Sequence, residues 1–291
     1  MKPPPFEYYA PTTAAETLSL LGQYGADAKV LAGGQSLMPL LNFRLARPAA
    51  LIDINGVQEL DFLRRENGCV AVGAVVRQRA AERSSVVTQS CPLLAEALPF
   101  IGHFQIRNRG TIVGSLAHAD PAAELGAVAL ALGAELRIQS QNGERRIPAG
   151  EFFVSYLTTA LTPDELLVEV RFPIARPRTG YAFVEFARRH GDFALVGVAA
   201  VLSRDPGGRC ADVRLAFTGV GPVPLLFTDS DGLLQGEPLE EGAMRALAER
   251  IASKLEAESD LHASAEYRRE LAAVLASRAL QTAAARSTED G

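Results

Sequence analysis

The chain has no tryptophan, only three cysteines and only four histidines in 291 residues. Cys69, Cys91 and Cys210 share no Cys-x-x-Cys spacing. An iron–sulfur cluster draws on about four thiolates, so this chain alone should not carry one. Scattered thiols of this kind fit a reducing, cytoplasmic setting. His103 and His190 have no metal-spaced partners and read as surface residues, so no metal site is expected. Positive charge is not in surplus. The net charge is −5, which gives no electrostatic footprint for nucleic acid. The paired cations Arg64-Arg65, Arg145-Arg146, Arg188-Arg189 and Arg268-Arg269 stand among acids and read as solvated faces. No apolar run reaches the ~18 residues of a membrane span. Met1 to Pro5 has no apolar core of a secretory signal. Gly-x-Gly-x-x-Gly and Gly-Lys-Ser/Thr are both missing, which argues against a Rossmann nicotinamide site and a P-loop.

Hydrophobic content of 48% and charged content of 22% describe a globular chain. Its length suffices for two domains, or for one domain with a substantial extension. Glu7 to Pro11 reads as a short strand. Thr12 or Thr13 caps a helix, with Glu16 placed as in a capping box. Leu18, Leu21 and Tyr24 give that helix an apolar stripe, and Gly25 ends it. Lys29-Val30-Leu31 and Leu51-Ile52-Asp53-Ile54 read as strands, with a short helix over Leu37 to Phe43. Asp53 reads as a cap for the segment that follows.

From Leu60 the texture changes. Asp61 to Arg65 and Cys69 to Val76 flank Asn67-Gly68, a hairpin signal. Short helices are expected at Arg77 to Glu82 and Pro92 to Leu98. A longer helix is expected over Pro121 to Leu132. Glu135 to Ser140 and Glu144 to Pro148 form a second hairpin about Asn142-Gly143. Leu166 to Phe172 is a strand, and Pro173 to Thr179 a linker. Tyr181 to Arg188, Ala194 to Arg204 and Ala211 to Thr218 are three further strands. Leu247, Ile251 and Leu255, and then Tyr267, Leu271 and Leu275, mark two closing amphipathic helices. Thr282 to Gly291 is polar and expected to fray.

Two small-residue segments carry the chemistry. Ala32-Gly33-Gly34-Gln35-Ser36 follows a strand, and Thr111-Ile112-Val113-Gly114-Ser115 follows Arg109-Gly110. Glycine removes the Cβ that blocks approach to backbone N–H groups, so such loops cradle anions. Two of them can grip two phosphates, which suggests a dinucleotide. Taken singly, an Ala-Gly-Gly loop is equally a tight turn.

The longer context resembles the FAD-binding medium subunit of the molybdenum hydroxylase family, of carbon monoxide dehydrogenase and xanthine dehydrogenase type. Ala32 to Pro39 resembles its first FAD loop, and Arg109 to Glu124 its second. The likeness continues through Gly191 to Ala200 and His262 to Arg269, so it covers nearly the whole chain in order. It implies an α+β fold. An FAD-binding domain of two subdomains (PCMH-type, as in the vanillyl-alcohol oxidase superfold) would be followed by a C-terminal domain with a three-stranded sheet plus helices. The expected divisions are 1–175, with subdomains about 1–56 and 57–175, then 179–285 and a frayed tail at 286–291.

The resemblance also implies site residues. Leu31, Ala32, Gly33, Gly34, Gln35, Ser36 and Leu37 form the first binding segment. Thr111, Ile112, Val113, Gly114 and Ser115 form the second. Asp120 joins the second stretch, and Glu124 matches an acid that accepts from a sugar or ribityl hydroxyl. Leu161 matches a backbone contact to the flavin edge, and Asp192 and Phe193 lie where the C-terminal domain reaches the ring. No catalytic acid or base is expected. FAD would be this chain's cofactor. A large subunit would hold the molybdopterin cofactor and a small subunit two 2Fe–2S clusters, in a dimer of heterotrimers serving an external electron acceptor. The three scattered cysteines do not supply the inserted cluster of the family's reductase branch.

Departures from the family pattern stand out. Val113 replaces a frequent glycine, Ser115 a frequent asparagine and Phe193 an occasional tyrosine. Glu185 stands where some relatives carry lysine. Arg107 and Arg109 either neutralise pyrophosphate or pair with acids. His118 reads as a loop hydrogen-bonding residue, and Tyr267 and Arg268 as docking the last helix onto the FAD domain. A stand-alone flavin oxidoreductase of the same superfold, or a scaffold that has lost FAD, are the alternative readings.

Overall fold

The structure, a computed structural model, describes residues 2–229 and 232–287. Thr13 caps the first helix, Ala14–Tyr24, by accepting from the N–H of Glu16 at 3.2 Å. The Glu16 carboxylate accepts in turn from the N–H of Thr12 at 2.9 Å. Gly25, at φ 51°, ends the helix as expected. Three parallel strands lie beside it, in the order Glu7–Tyr9, Ala50–Asp53, Ala28–Leu31. Asp53 accepts from the N–H of Asn55 at 2.9 Å, so it does cap the turn that follows.

The second sheet is antiparallel, in the order Leu63–Glu66, Cys69–Gly73, Leu166–Pro173, Glu135–Ser140, Gly143–Pro148. Its central strand, Leu166–Pro173, is buried along seven of its eight residues. Asn67 and Gly68 both take positive φ, 47° and 74°, at the tip of the first hairpin. That is the geometry an Asn-Gly pair favours in a two-residue turn.

The helix expected from Pro121 begins later, at Glu124–Leu132. Asp120 explains the difference: its carboxylate takes the N–H of Ala122 at 2.9 Å and its carbonyl that of Ala123 at 3.0 Å, closing a tight turn before the helix. Every residue of this helix is buried. It packs against both the second sheet and a third, and an all-round apolar sequence is what such a sandwiched helix needs.

The third sheet is an antiparallel meander of Thr179–Phe186, Val196–Arg204, Cys210–Thr218 and Leu225–Thr228. It therefore has four strands, one more than expected. The extra strand is short and follows the Gly219–Pro224 turn region, so its alternation is too brief to register in the sequence. One face of this sheet, with Tyr181, Phe183, Ala199, Val201 and Ala216, joins the N-terminal core. The other face packs on helices Glu241–Ser253 and Ala265–Arg286. The last helix runs five residues into the segment expected to fray. Arg286 donates to Glu96 and to the Tyr181 carbonyl, both at 2.7 Å, and Ser287 is buried. Residues 288–291 of the expected tail lie outside the described residues. Among the described residues no helix is long and apolar enough to cross a membrane.

Candidate functional site

A cleft of about 760 Å³ runs between the three layers. This lies within the range of a cofactor-sized site. Its first wall is the segment after strand Ala28–Leu31. Ala32, Gly33, Gly34, Gln35, Ser36 and Leu37 all line it, while Leu31 lines a smaller neighbouring cavity of about 550 Å³. Gly34 takes φ 73°, which suits glycine. The backbone N–H groups of Gly33, Gly34, Gln35 and Ser36 have no protein partner among the described residues. Successive partnerless N–H groups of this kind form an anion-binding concavity.

The second wall is not a free loop. Thr111 caps helix Ile112–His118, its hydroxyl oxygen accepting from the N–H of Gly114 at 3.1 Å. Val113 is therefore helical with negative φ and carries no strain from its Cβ. Thr111, Val113, Gly114 and Ser115 line the cleft, whereas Ile112 is fully buried and belongs to the core. A Cβ on Gly114 would collide with the Thr111 hydroxyl, so glycine keeps this cap intact. Ser36 and Ser115 have no hydrogen-bonded hydroxyl among the described residues. Both can donate to a ligand oxygen.

The two walls touch. A Cβ on Gly33 would stand 2.6 Å from the Arg109 carbonyl oxygen and 2.7 Å from Gly110 Cα. A polar brace holds this contact. Asn55 Nδ2 donates to the Ala32 carbonyl at 2.9 Å, and its Oδ1 accepts from Arg77. Arg77 also donates to the Arg109 carbonyl at 2.6 Å. Sequence reasoning missed Asn55, Arg77 and the neighbouring Gln78, because no local pattern marks a side chain whose partners are distant carbonyls. Arg107 resolves as a buried pair with Glu82 at 2.8 Å that also donates to the Ile101 and Gly102 carbonyls. It is not directed at the cleft. Arg109 lines the smaller cavity.

Asp120, Glu124 and Leu161 line the far part of the cleft, and Asp192 and Phe193 reach it from the third sheet. The Leu161 N–H is already spoken for by Thr159 Oγ1 at 3.3 Å. Phe193 is 59% exposed at the mouth. Glu124 is 4% exposed, and burial pushes its carboxyl up to about 7. His118 closes its helix instead of sitting in a loop, lines the cleft, and is held below the ordinary histidine value by burial. His103 and His190 are exposed and lie against each other, ring centroids 6.1 Å apart. Among the described residues no cluster of histidines, cysteines or acids could hold a metal. Arg268 donates to the Leu195 and Gly219 carbonyls and to Asp260, so it ties the last helix to its own domain instead of docking it onto the other.

A small-residue wall of partnerless N–H groups set against a helix start, with a buried carboxyl lining the same cleft, is an arrangement suited to a phosphate-bearing cofactor. The comparisons name the kind. The FAD binding domain of molybdopterin dehydrogenases matches residues 4–175, and the CO dehydrogenase flavoprotein C-terminal domain matches residues 181–283. The alpha subunit of the 6-hydroxypseudooxynicotine dehydrogenase complex of Paenarthrobacter nicotinovorans is 42% identical over 97% of this chain and 96% of its own. The carbon monoxide dehydrogenase medium chain of Hydrogenophaga pseudoflava is 39% identical over 98% and 99%. A solved carbon monoxide dehydrogenase from Hydrogenophaga pseudoflava superposes with TM-score 0.95, covering 98% of this chain and 99% of that one at 40% identity. Quinoline 2-oxidoreductase from Pseudomonas putida superposes at 0.94 with 38% identity, covering 99% of each chain. The chain belongs to the family of FAD-binding medium subunits of molybdenum hydroxylases, and is an FAD-dependent oxidoreductase subunit.

Proposed function

We propose that this chain is the electron-transfer subunit of a heterotrimeric molybdenum hydroxylase. Bound FAD supplies the chemistry that takes electrons from 2Fe–2S clusters on a small partner subunit and delivers them to an external acceptor. The molybdopterin cofactor and the substrate pocket belong to a large partner subunit. Two heterotrimers pair, in a cytoplasmic setting. Residues 1–175 form the cofactor domain and 179–285 the C-terminal domain.

The observation that carries this reading is the run of partnerless N–H groups from Gly33 to Ser36 facing the Thr111–Ser115 helix start. These groups, with the Ser36 and Ser115 hydroxyls, bind the pyrophosphate. Asp120 and Glu124 accept from hydroxyls of the ribityl chain. Leu161, Asp192 and Phe193, which line the same cleft, would hold the ring. No side chain here acts as acid or base on the hydroxylated substrate, which fits a subunit whose task is to place its cofactor.

The test is the absorbance spectrum of the purified chain, followed by heat release of the flavin and co-purification. Bands near ~375 and ~450 nm with released FAD, and two co-purifying subunits carrying molybdenum and iron, are the expected result. A folded chain that stays colourless with added FAD overturns the assignment.

A further inference from the structure

We propose that Arg77 is a positioning residue for the diphosphate of the cofactor. It staples the two walls together from outside the cleft, and its positive charge stays unneutralised until a diphosphate fills the run of bare N–H groups. This rests on the FAD reading above.

A chain of hydrogen bonds places it. Tyr8 donates to Asp53 Oδ2 at 2.7 Å, and Asp53 Oδ1 accepts from the N–H of Asn55 at 2.9 Å. Asn55 Nδ2 donates to the Ala32 carbonyl at 2.9 Å, and Asn55 Oδ1 accepts from Arg77. Arg77 Nη1 then donates to the Arg109 carbonyl at 2.6 Å. The next residue continues the grip: the Gln78 N–H donates to the Gly110 carbonyl at 2.8 Å, and Gln78 Nε2 reaches the Thr111 carbonyl at 3.5 Å. Asn55 and Arg77 do not line the cleft, so they draw the Ala32 and Arg109 carbonyls away from it. In a trans peptide the C=O and the following N–H point opposite ways. Holding the Ala32 carbonyl outward therefore turns the partnerless Gly33 N–H toward the cleft. An anion site needs this sense, with N–H groups in and negative oxygens out. Ala32 and Arg109 also precede the two glycines whose backbones meet, since a Cβ on Gly33 would stand 2.7 Å from Gly110 Cα. One guanidinium thus fixes both the spacing of the walls and the direction of a peptide in the first.

The charge of Arg77 is uncompensated. Both of its hydrogen bonds go to neutral oxygens. Among the described residues no carboxylate forms an ion pair with it. Asp61 and Asp53 attract it from farther off, and Arg109 repels it. Arg109 lines the adjoining cavity with Gly33, Gly34 and Gln35. Arg107, by contrast, is neutralised by Glu82 at 2.8 Å. Two cations without an ion-paired acid therefore stand where the walls join. A half-buried cation lacking a counter-ion is costly, and an arriving anion relieves that cost. The diphosphate is the counter-ion that this arrangement lacks.

The experiment measures binding of FAD, and of ADP as a flavin-free diphosphate, to the full chain freed of flavin. Salt is varied between about 50 and 400 mM. Flavin fluorescence follows FAD, calorimetry follows ADP, and thermal melting is recorded alongside. Arg77→Met should weaken both ligands by about tenfold to a hundredfold. It should also flatten the rise of log Kd with salt, because one charge is gone. Arg77→Lys keeps the charge, but its single ammonium does not reproduce the two-armed grip. It should bind about tenfold more weakly, with the salt dependence of the wild type. Asn55→Ala releases the Ala32 carbonyl with the charge in place and should behave as Arg77→Lys does. A merely structural residue would lower the melting temperature and the affinity without changing the salt slope. Arg77→Met with the wild-type salt slope overturns the proposal. So do Arg77→Lys and Asn55→Ala with wild-type Kd, and these two carry the test if Arg77→Met fails to fold. A wild type that binds ADP but no FAD overturns the FAD reading alone, and one that binds neither overturns both.

Discussion

Gly33 shows how much one missing atom decides. Its Cβ would press on the backbone of Arg109 and Gly110, and backbone cannot swing aside as a long side chain can. Gly33→Ala should push the two cleft walls apart and lower FAD affinity by about tenfold or more, with little change in the circular dichroism of the fold. A variant that binds FAD as tightly as wild type would show that the walls need not touch. Glu124 and Glu185 impose a pH dependence on stability. Both lie above the ordinary glutamate value of 4.5, at about 7 and about 8. Between 4.5 and those values the folded state binds more protons than the unfolded one, so stability falls as pH rises. Thermal melting of the apo chain should therefore show a falling Tm from about pH 5 to 8, and Glu185→Gln should fall less. The sequence revealed Gly33 and Glu124 through their context. It could mark Glu185 only as a departure, because burial is not written in a strand that continues into a polar loop.

Among the elements, the helix Ile112–His118 departs most from what its residues suggest singly. Val113 and Ile112 are β-branched, and the segment reads as a glycine loop. Thr111 turns it into a helix by capping Gly114, and tertiary packing of Ile112, Val113 and Leu116 does the rest. Thr111→Ala should cost about 1 kcal/mol and fray the wall that faces Gly33 to Ser36. Chemical denaturation would read the first effect, and flavin content the second. The hairpin turns and the first capped helix were legible because their signals are local: an Asn-Gly pair, a threonine with a glutamate three residues on. The brace of Asn55 and Arg77 was not, since its partners sit on other loops.

For the molecule as a whole, the two domains meet at the buried helix Glu124–Leu132 and at Thr218. Thr218 is fully buried, and its hydroxyl is engaged with the Pro121 and Ala123 carbonyls. Thr218→Val keeps the shape but removes the hydroxyl's two bonds across the seam, leaving the Gly219 N–H on the Pro121 carbonyl at 2.8 Å, which should cost about 1 kcal/mol. Hydrogen exchange should locate the loosening at the seam around Gly219 and Pro121, while the core of the three-stranded parallel sheet stays protected. Uniform loss of protection across the chain would instead mean that the two domains unfold as one unit. Division into two units could be read from the linker at Pro173 to Thr179. The sharing of one sheet face between both cores could not, because alternation along a strand says that one face is buried but not against what.

By itself the amino-acid sequence determined the α+β order of elements, the capped first helix, the hairpin turns and the two small-residue segments. Each rests on residues close together in the chain. Tertiary structure decided which N–H groups are left without partners, that the second segment begins a helix, that Arg107 answers Glu82, and that a Glu185 carboxyl oxygen is buried without a hydrogen-bond partner. These depend on desolvation and on contacts between residues far apart in the chain, and neither can be read from spacing alone.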